Sequence, residues 1–431
     1  MTNLLEIGRA ILAQNPVCNS CVGRVVAERS HGLTNAERGH ALRTVIAMTE
    51  DVPYEEPEET CWVCEGHADR VDEWAERVLE ALDGIDFETY QVGSRVPPLI
   101  EENDRLLREA AGLDSDVGES VKTELNREVG KRVGELTDTT VDFERADVVA
   151  LLEIQRETVD VRINPAHVYG RYRKLERGIP QTEWPCRDCG GSGEQVTGGG
   201  PVACDGCDGT GYRYDRSVEQ LTVPPVVAAM DGTEGVFHGA GREDVDARML
   251  GDGRPFVIEV KHPRSRRMDP DELTESINEY ADGSVEVGEI TLVDHRMVER
   301  VKEHDASKTY RMRVSVGASV SAEAVQAAVE ALDGATVEQR TPNRVSHRRA
   351  DRVRTREAYS VSGTRLDDRH VELEIHGEGG LYVKEFVSGD EGRTTPSLAG
   401  ELGVEATVTE LDVVEVTGET APFLTDSYRV D

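Results

Sequence analysis

All eight cysteines of this 431-residue chain fall in C-x-x-C pairs: Cys18/Cys21, Cys61/Cys64, Cys186/Cys189 and Cys204/Cys207. This pattern restricts the fold more than any other feature. A two-residue spacer lets two thiolates face one ion, and two such knuckles complete a tetrahedral four-sulfur site. In a reducing compartment pairs of this kind hold metal rather than forming disulfides. The last two pairs read "CRDCGGSG" and "CDGCDGTG", both C-x-x-C-x-G-x-G, with 14 residues between Cys189 and Cys204. Their glycines let the chain wrap closely around an ion. The first two pairs stand 39 residues apart, workable for a stapled N-terminal module. Two structural zinc sites are predicted, and four thiolates leave no open position for catalysis at either.

The glycine-rich repeats resemble half of the cysteine-rich region of the DnaJ co-chaperones. A co-chaperone also needs His-Pro-Asp, and the nearest tripeptide is His262-Pro263-Arg264, so that reading fails.

Charge sets the environment. Lys+Arg 49 against Asp+Glu 84 leaves a net charge of −35, and the basic residues divide into 7 Lys and 42 Arg. An acidic surface nearly purged of lysine is the composition expected in the cytoplasm of an extreme halophile. Regular apolar periodicity in "DEWAERVLEALDG" and "SAEAVQAAVEALDG" argues against disorder. The charge would repel nucleic acid at low salt, but at about 1 M salt the Debye length is only ~3 Å. RNA binding would then rest on local arginine clusters. Residues 340–356 hold seven arginines (Arg340, Arg344, Arg348, Arg349, Arg352, Arg354, Arg356) against the single acid Asp351, a reversal of sign that predicts a phosphate-gripping surface together with "HPRSRR" at 262–267. No apolar run approaches the ~20 residues of a membrane span. Glu6 and Arg9 inside "MTNLLEIGRAILAQ" do not suit a signal peptide, so a cytoplasmic protein is expected.

The length predicts two or three domains. Residues 1–70 read as a zinc-bound head and 71–180 as an α/β module. The module has a helix at about 72–83, a strand in "FETYQVGSRV", a polar helix at about 117–134 and a hairpin of "DVVALLEIQ" with "TVDVRINP". Residues 181–215 are the zinc insertion. Residues 216–431 read as strands with few helices: "PFVIEVKH", "EITLVDH", "TYRMRVSV", "AYSVSGTRL", "HVELEIHG" and "LYVKEFVSG", with one clear helix at about 321–332 capped by Ser321. The fold class expected is α+β with a largely antiparallel sheet.

Gly239-Ala240-Gly241 begins like a dinucleotide loop, but Asp244 stands where the third glycine belongs; Gly130-Lys131 is followed by Arg132, so it is no P-loop. No nucleotide cofactor is expected.

Beside these decoys lies "GREDVDARMLG", in which Gly-Arg-x-Asp ends on Asp244. It resembles the catalytic turn of pseudouridine synthases, and most closely the archaeal and eukaryotic tRNA pseudouridine synthases acting on uridines 54 and 55 of the T-loop. "YQVGSRVP", "GRYRKLERGIPQTEWPC", "RPFVIEVKHPR", "KTYRMRV", "RTPNRVSHRRADRVR" and "GLYVKEFVSGDEGRTTPS" resemble that family in order, so the likeness covers nearly the whole chain. It implies a pseudouridine-synthase-type catalytic domain and an N-terminal part containing a THUMP RNA-binding module. It also implies tRNA as partner and no cofactor for catalysis. Residue by residue, it implies Asp244 as nucleophile and Lys384, on the "LYVKEFV" strand, as its counter-cation. Tyr310 would stack on the base and Tyr382 would be a second uridine contact. Arg242, Arg348 and Arg349 would contact substrate. Three of the seven lysines (Lys261, Lys308, Lys384) fall on the motif strands downstream of Asp244, as expected if lysine survives where a compact point charge is needed. THUMP-type methyltransferases and thiolases need an S-adenosylmethionine loop or an adenylation loop that this sequence lacks. A zinc-dependent tRNA-binding module without catalysis remains the non-enzyme alternative.

Overall fold

The computed structural model describes residues 3–304, 306–345, 350–417 and 423–430. The chain forms two compact units, residues 1–165 with 262–266, and residues 166–261 with 267–431.

In the first unit, side-chain caps start the helices where the sequence offers them. Asn3 with Glu6 and Thr34 with Glu37 form capping boxes at α1 (Leu4–Leu12) and α3 (Asn35–Glu50). Between them α2 (Asn19–Arg24) starts on Cys18, whose sulfur accepts from the Cys21 amide at 3.4 Å. There follow α4 (Val71–Ala81), β1 (Thr89–Arg95), α5 (Pro98–Ala110), α6 (Val121–Thr137), β2 (Thr140–Val141), β3 (Val148–Glu153) and β4 (Thr158–Ile163). The sheet runs β2-β1-β3-β4, with β3 and β4 the antiparallel hairpin. One core joins Cys21 and Cys64 to Trp74, Leu107, Leu125 and Leu152, so the cysteine head is not a separate domain. Inside it the fully buried Arg24 pairs with Asp104 at 2.9 Å and Glu124 at 3.3 Å.

"HPRSRR" turns out differently from its expectation. Arg266 is mostly buried, pairs with Asp147 at 3.2 Å and donates to the Asn164 carbonyl, while Arg264 donates to the Asp83 carbonyl at 3.0 Å. These arginines brace the first unit.

The second unit begins at β5 (Ala166–Lys174), a segment that sequence alone attaches to the preceding module. The cysteine insertion carries the small hairpin β6 (Glu194–Thr197) and β7 (Gly200–Ala203). Then come α7 (Val218–Ala229), β8 (Glu234–Gly239), β9 (Ala247–Lys261), α8 (Pro270–Ala281), β10 (Val285–Val293), α9 (Arg296–Glu303), β11 (Ser307–Val316), α10 (Ala322–Leu332), β12 (Thr336–Arg340), β13 (Val353–Arg365), β14 (His370–Gly377), α11 (Val383–Ser388), β15 (Thr394–Thr395), α12 (Leu398–Leu402) and β16 (Ala406–Thr417). Ten strands form one sheet in the order β10-β5-β9-β16-β11-β14-β13-β12-β15, with β8 added on β9. Among the described residues its only parallel pair is β9 with β16.

"LTVPPVV" lies inside α7, where Pro224 and Pro225 are absorbed. One helix stands where the sequence suggests a strand. "VKEFVS" forms the short helix α11, not a strand. Its apolar residues are Val383, Phe386 and Val387, which do not alternate as a strand would require, and Gly389 ends it after six residues in the left-handed conformation of a helix C-cap.

The strand that positions the site is β9. Its C-terminal half pairs with β8, from Gly239 opposite Phe256 to Glu234 opposite Lys261. Its first residues, Ala247–Met249, pair instead with Leu411–Val413 of β16. The stretch 240–246 emerges at the fork between these two partners.

Candidate functional site

Seven residues, 240–246, connect β8 to the start of β9, and Gly241 takes φ +67 to make the turn. Successive side chains diverge. Glu243 points into the protein and its side chain is fully buried, whereas Asp244 faces a cavity of about 720 Å³.

Beneath the turn lies a buried polar network. Glu243 accepts from the Tyr172 hydroxyl at 2.9 Å and pairs with Arg254 Nε at 3.0 Å. Lys174, also fully buried, lies 3.7 Å from the other Glu243 oxygen. Its ammonium donates to the carbonyls of Ile179 (2.8 Å), Asp244 (3.1 Å) and Val245 (3.2 Å). Arg254 donates to the Ala240 carbonyl at 2.7 Å, and the Gln181 amide donates to the Gly241 carbonyl at 2.8 Å. Buried side-chain donors thus hold four carbonyls of a turn that has no ladder of its own. Burial drives the Lys174 pKa down, with Glu243 opposing it.

Above the turn, two cations flank Asp244. Lys384 Nζ lies 3.2 Å from Oδ2, and Arg344 Nη1 donates to Oδ1 at 3.3 Å. Burial works to raise the Asp244 carboxyl, but Arg344 and Lys384 outweigh it and hold it below the ordinary carboxylate range. Asp246 also takes Lys384, at 2.8 Å to each oxygen, yet its side chain is 68% exposed against 36% for Asp244. Arg344 is itself fixed by Glu385, with contacts of 2.7 and 3.2 Å.

Tyr310, on β11 between β14 and β16, is buried in the cavity wall. Burial pushes its phenol up to about 12, with Arg254 acting against that shift and Asp244 adding to it. Tyr382 lines the same cavity at the N-cap of α11. The fully buried Gln339 side chain clamps it, accepting from the Tyr382 amide at 2.9 Å and donating to its carbonyl at 3.0 Å. Arg242 is exposed at the rim.

The structure therefore brings Asp244, Tyr310, Tyr382, Lys384 and Arg242 to one cavity, while Arg348 and Arg349 lie outside the described residues. Arg344, grouped by sequence with an RNA-gripping row, turns inward to Asp244. Others of that row have intramolecular partners: Arg340 bonds Asp351 at 2.8 Å, Arg354 donates to Thr341 at 2.9 Å and Arg356 meets Glu378 at 3.2 Å. Of the expected lysines, Lys308 lines the cavity but Lys261 pairs with Glu259 at 2.5 Å away from it. Sequence reasoning misses Lys174 and Glu243, although the scarcity of lysine could direct attention to Lys174.

Both cysteine quartets could hold a metal ion. Sulfur separations are 3.7 Å (Cys18–Cys64) and 3.4 Å (Cys21–Cys61) in the first, and 4.0 Å (Cys186–Cys204) and 3.8 Å (Cys189–Cys207) in the second. A tetrahedron with Zn–S of about 2.3 Å has edges of roughly 3.8 Å. In the second quartet the repeats are reciprocal. The Gly193 amide donates to Cys189 Sγ and the Gly211 amide to Cys207 Sγ, while the Cys204 amide donates to the Gly193 carbonyl and the Cys186 amide to that of Gly211. A Cβ on Gly193 would sit 2.4 Å from the Gly209 carbonyl oxygen, and one on Gly211 2.5 Å from that of Gly191, so both glycines are required by close approach.

Comparison with known proteins bears on this site. Residues 167–417 match the family model described as Pus10, C-terminal, and residues 74–153 the Pus10 THUMP domain, archaeal. The chain is 59% identical over 428 residues to a tRNA pseudouridine synthase Pus10 of Halorubrum lacusprofundi, with 99% of each chain covered. It is 41% identical to the Methanothrix thermoacetophila protein of that name, covering 97% of this chain and 95% of the relative. For the Pyrococcus furiosus protein the identity is 40%, covering 96% and 98%.

Proposed function

The chain belongs to the Pus10 family of tRNA pseudouridine synthases, and on that premise we propose that its cavity isomerises uridine to pseudouridine in the tRNA T-loop, at position 54, 55 or both, with Asp244 as nucleophile. The observation that carries this reading is the partly buried Asp244 carboxylate held ionised between Lys384 and Arg344 at the cavity wall. Asp246, closer to Lys384 but mostly solvated, is the weaker candidate.

The reaction exchanges one bond to the sugar for another. The bond from C1′ to N1 breaks with its electron pair leaving on the base, the base turns, and C5 bonds to C1′. C5 gives up a proton and N1 gains one, so the product is an isomer and no redox cofactor enters. A carboxylate can attack or assist at the sugar only while ionised, and the two cations keep Asp244 so. With its pKa pushed up to about 12, Tyr310 stays a neutral phenol at working pH, suited to lie against the base and donate a hydrogen bond. Tyr382 supplies a second wall and Arg242 meets phosphate at the rim.

The cysteine quartets suit structural zinc. Cys18, Cys21, Cys61 and Cys64 would hold one ion and Cys186, Cys189, Cys204 and Cys207 another. Zinc saturated by thiolates supplies local folding energy. Among the described residues no helix is long and apolar enough to cross a membrane.

The test is pseudouridine formation on unmodified tRNA transcripts carrying cytidine at position 54, at 55, or at both. Product from at least one single replacement but not from the double one supports the T-loop assignment. Product undiminished in the double replacement overturns it.

A further inference from the structure

The cavity has a wall that the proposed chemistry does not use. Trp184 lies in the segment between β5 and the second cysteine quartet, is half-buried, and lines the cavity from a stretch that carries none of the catalytic or substrate-contacting residues proposed above. It stands in an aromatic and cationic cluster. The Arg213 guanidinium carbon lies 5.5 Å from the Trp184 ring centroid and 5.6 Å from that of Tyr214, and the two rings meet edge to face at 5.5 Å. Of the chain's three tryptophans, Trp74 is sunk in a core, whereas Trp184 presents indole to a cavity.

The cysteine insertion sets this cluster. The Arg213 amide donates to the Trp184 carbonyl at 2.9 Å, Pro185 bridges Tyr212, and the Cys186 amide two residues beyond Trp184 donates to the Gly211 carbonyl at 2.7 Å. The segments entering and leaving the quartet are thus zipped together where the indole is displayed. The four-cysteine insertion acts as a mount for a ring at the cavity edge.

We propose that Trp184, backed by Arg213, is a stacking platform for the base of an unpaired nucleotide adjoining the target uridine. This deepens the reading above and rests on it. Three observations point to a base as the occupant. The ring and guanidinium are the groups on which unstacked bases lie. The cavity lining carries five basic side chains, Lys308 and Arg242 among them, against three acidic ones, in a chain of net charge −35. And a cavity of about 720 Å³ is larger than one base fills.

The experiment uses the full-length protein, with Trp184→Ala, Trp184→Phe and Arg213→Ala, and tRNA transcripts carrying an abasic site at either nucleotide flanking the target. Loss of one stacked base costs about ten-fold in affinity or more. Trp184→Ala should therefore raise the KM for tRNA about ten-fold, with kcat within about threefold, and Trp184→Phe should recover most of it. Arg213→Ala should raise the KM by a smaller factor in the same direction. One abasic transcript should lose as much with wild type and nothing further with Trp184→Ala. Binding of tRNA should quench tryptophan emission in wild type and not in Trp184→Phe, which retains Trp62 and Trp74. An unchanged KM for Trp184→Ala, a quench that persists in Trp184→Phe, or additive losses for Trp184→Ala and both abasic transcripts would overturn the platform. Quenching is read without turnover, so a wild type that quenches but makes no pseudouridine sinks the catalytic reading and leaves the platform standing. Metal content measured on every variant separates loss of the ring from collapse of the insertion.

Discussion

Replacing Lys174 by methionine removes a charge from the buried network under the 240–246 turn while keeping roughly the same length of side chain. Lys174 and Glu243 are both fully buried, and the ammonium satisfies three carbonyls at 2.8 to 3.2 Å. Breaking a buried pair by removing one partner costs about 3–5 kcal/mol, since the other charge stays behind in low dielectric. Glu243 retains Arg254 and Tyr172, which lowers the cost; three stranded carbonyls raise it. A loss of about 4 kcal/mol follows, a large part of a typical total of about 5–15 kcal/mol. Urea unfolding in molar KCl should show the midpoint falling with an unchanged slope. Salt should not mask the effect, because a buried pair is poorly screened. The carbonyls of Asp244 and Val245 lose their hold at the same time, so single-turnover release of label from C5 of the target uridine should slow about 100-fold, the size expected when a reacting group moves by about 1 Å. Arginine should not rescue, because a larger planar guanidinium must fit a fully buried site shaped to a compact ammonium that reaches three carbonyls. A Lys174→Met protein within about 1 kcal/mol of wild type and within about threefold in rate would refute this account of the turn.

Asp244→Asn should abolish product while tRNA binding persists, whereas Asp246→Asn, which releases Lys384 toward Asp244, should keep at least about a third of the rate; single-turnover assays of both decide which carboxylate reacts. Because the Asp244 pKa is depressed, its stabilising charge is present above its unfolded value near about 4 and is lost only as pH falls through the lower folded one. The rate should thus show no acid limb down to about pH 5, Lys384→Met should move that limb upward, and no alkaline limb from Tyr310 should appear below about pH 11; a wild-type limb near neutrality would contradict this. Arg344→Met should cut the chemical step at least about tenfold with tRNA affinity within about threefold, checked by single turnover and binding titration. Elemental analysis should find about two zinc ions per chain, and Cys204→Ser should lose one of them.

How much the sequence discloses depends on range. The Gly-Arg-x-Asp turn, the hairpin before Pro165 and the Ser321-capped helix are legible because each is written within a short stretch of chain. The role of Arg344 is not. In the sequence it sits among arginines and reads as one of a row, and only the packing of the 343–345 turn against α11 gives it Glu385 and Asp244 as partners. Family likeness places Lys384 at the site even though its local structure is helix rather than the expected strand. A six-residue helix carries too few turns to show a 3.6-residue period. The boundary after Pro165 is hidden because β5 reads as a continuation of the preceding strands. Its partners β9 and β10 lie far downstream in the chain.

The fork in β9 has a thermodynamic consequence. The chain leaves β8 opposite Phe256 and re-enters β9 at Ala247, so residues 240–255 form a ring closed by the Ala240 amide on the Pro255 carbonyl and by Arg254 on the Ala240 carbonyl. A ring of this kind is ordered when the domain folds, not when RNA arrives. The entropy of fixing Asp244 is then already lost in the free enzyme, and the binding free energy of the RNA goes into extruding and turning the uridine. The amide of Ala240, formally in a loop, should exchange its hydrogen as slowly as the centre of a strand.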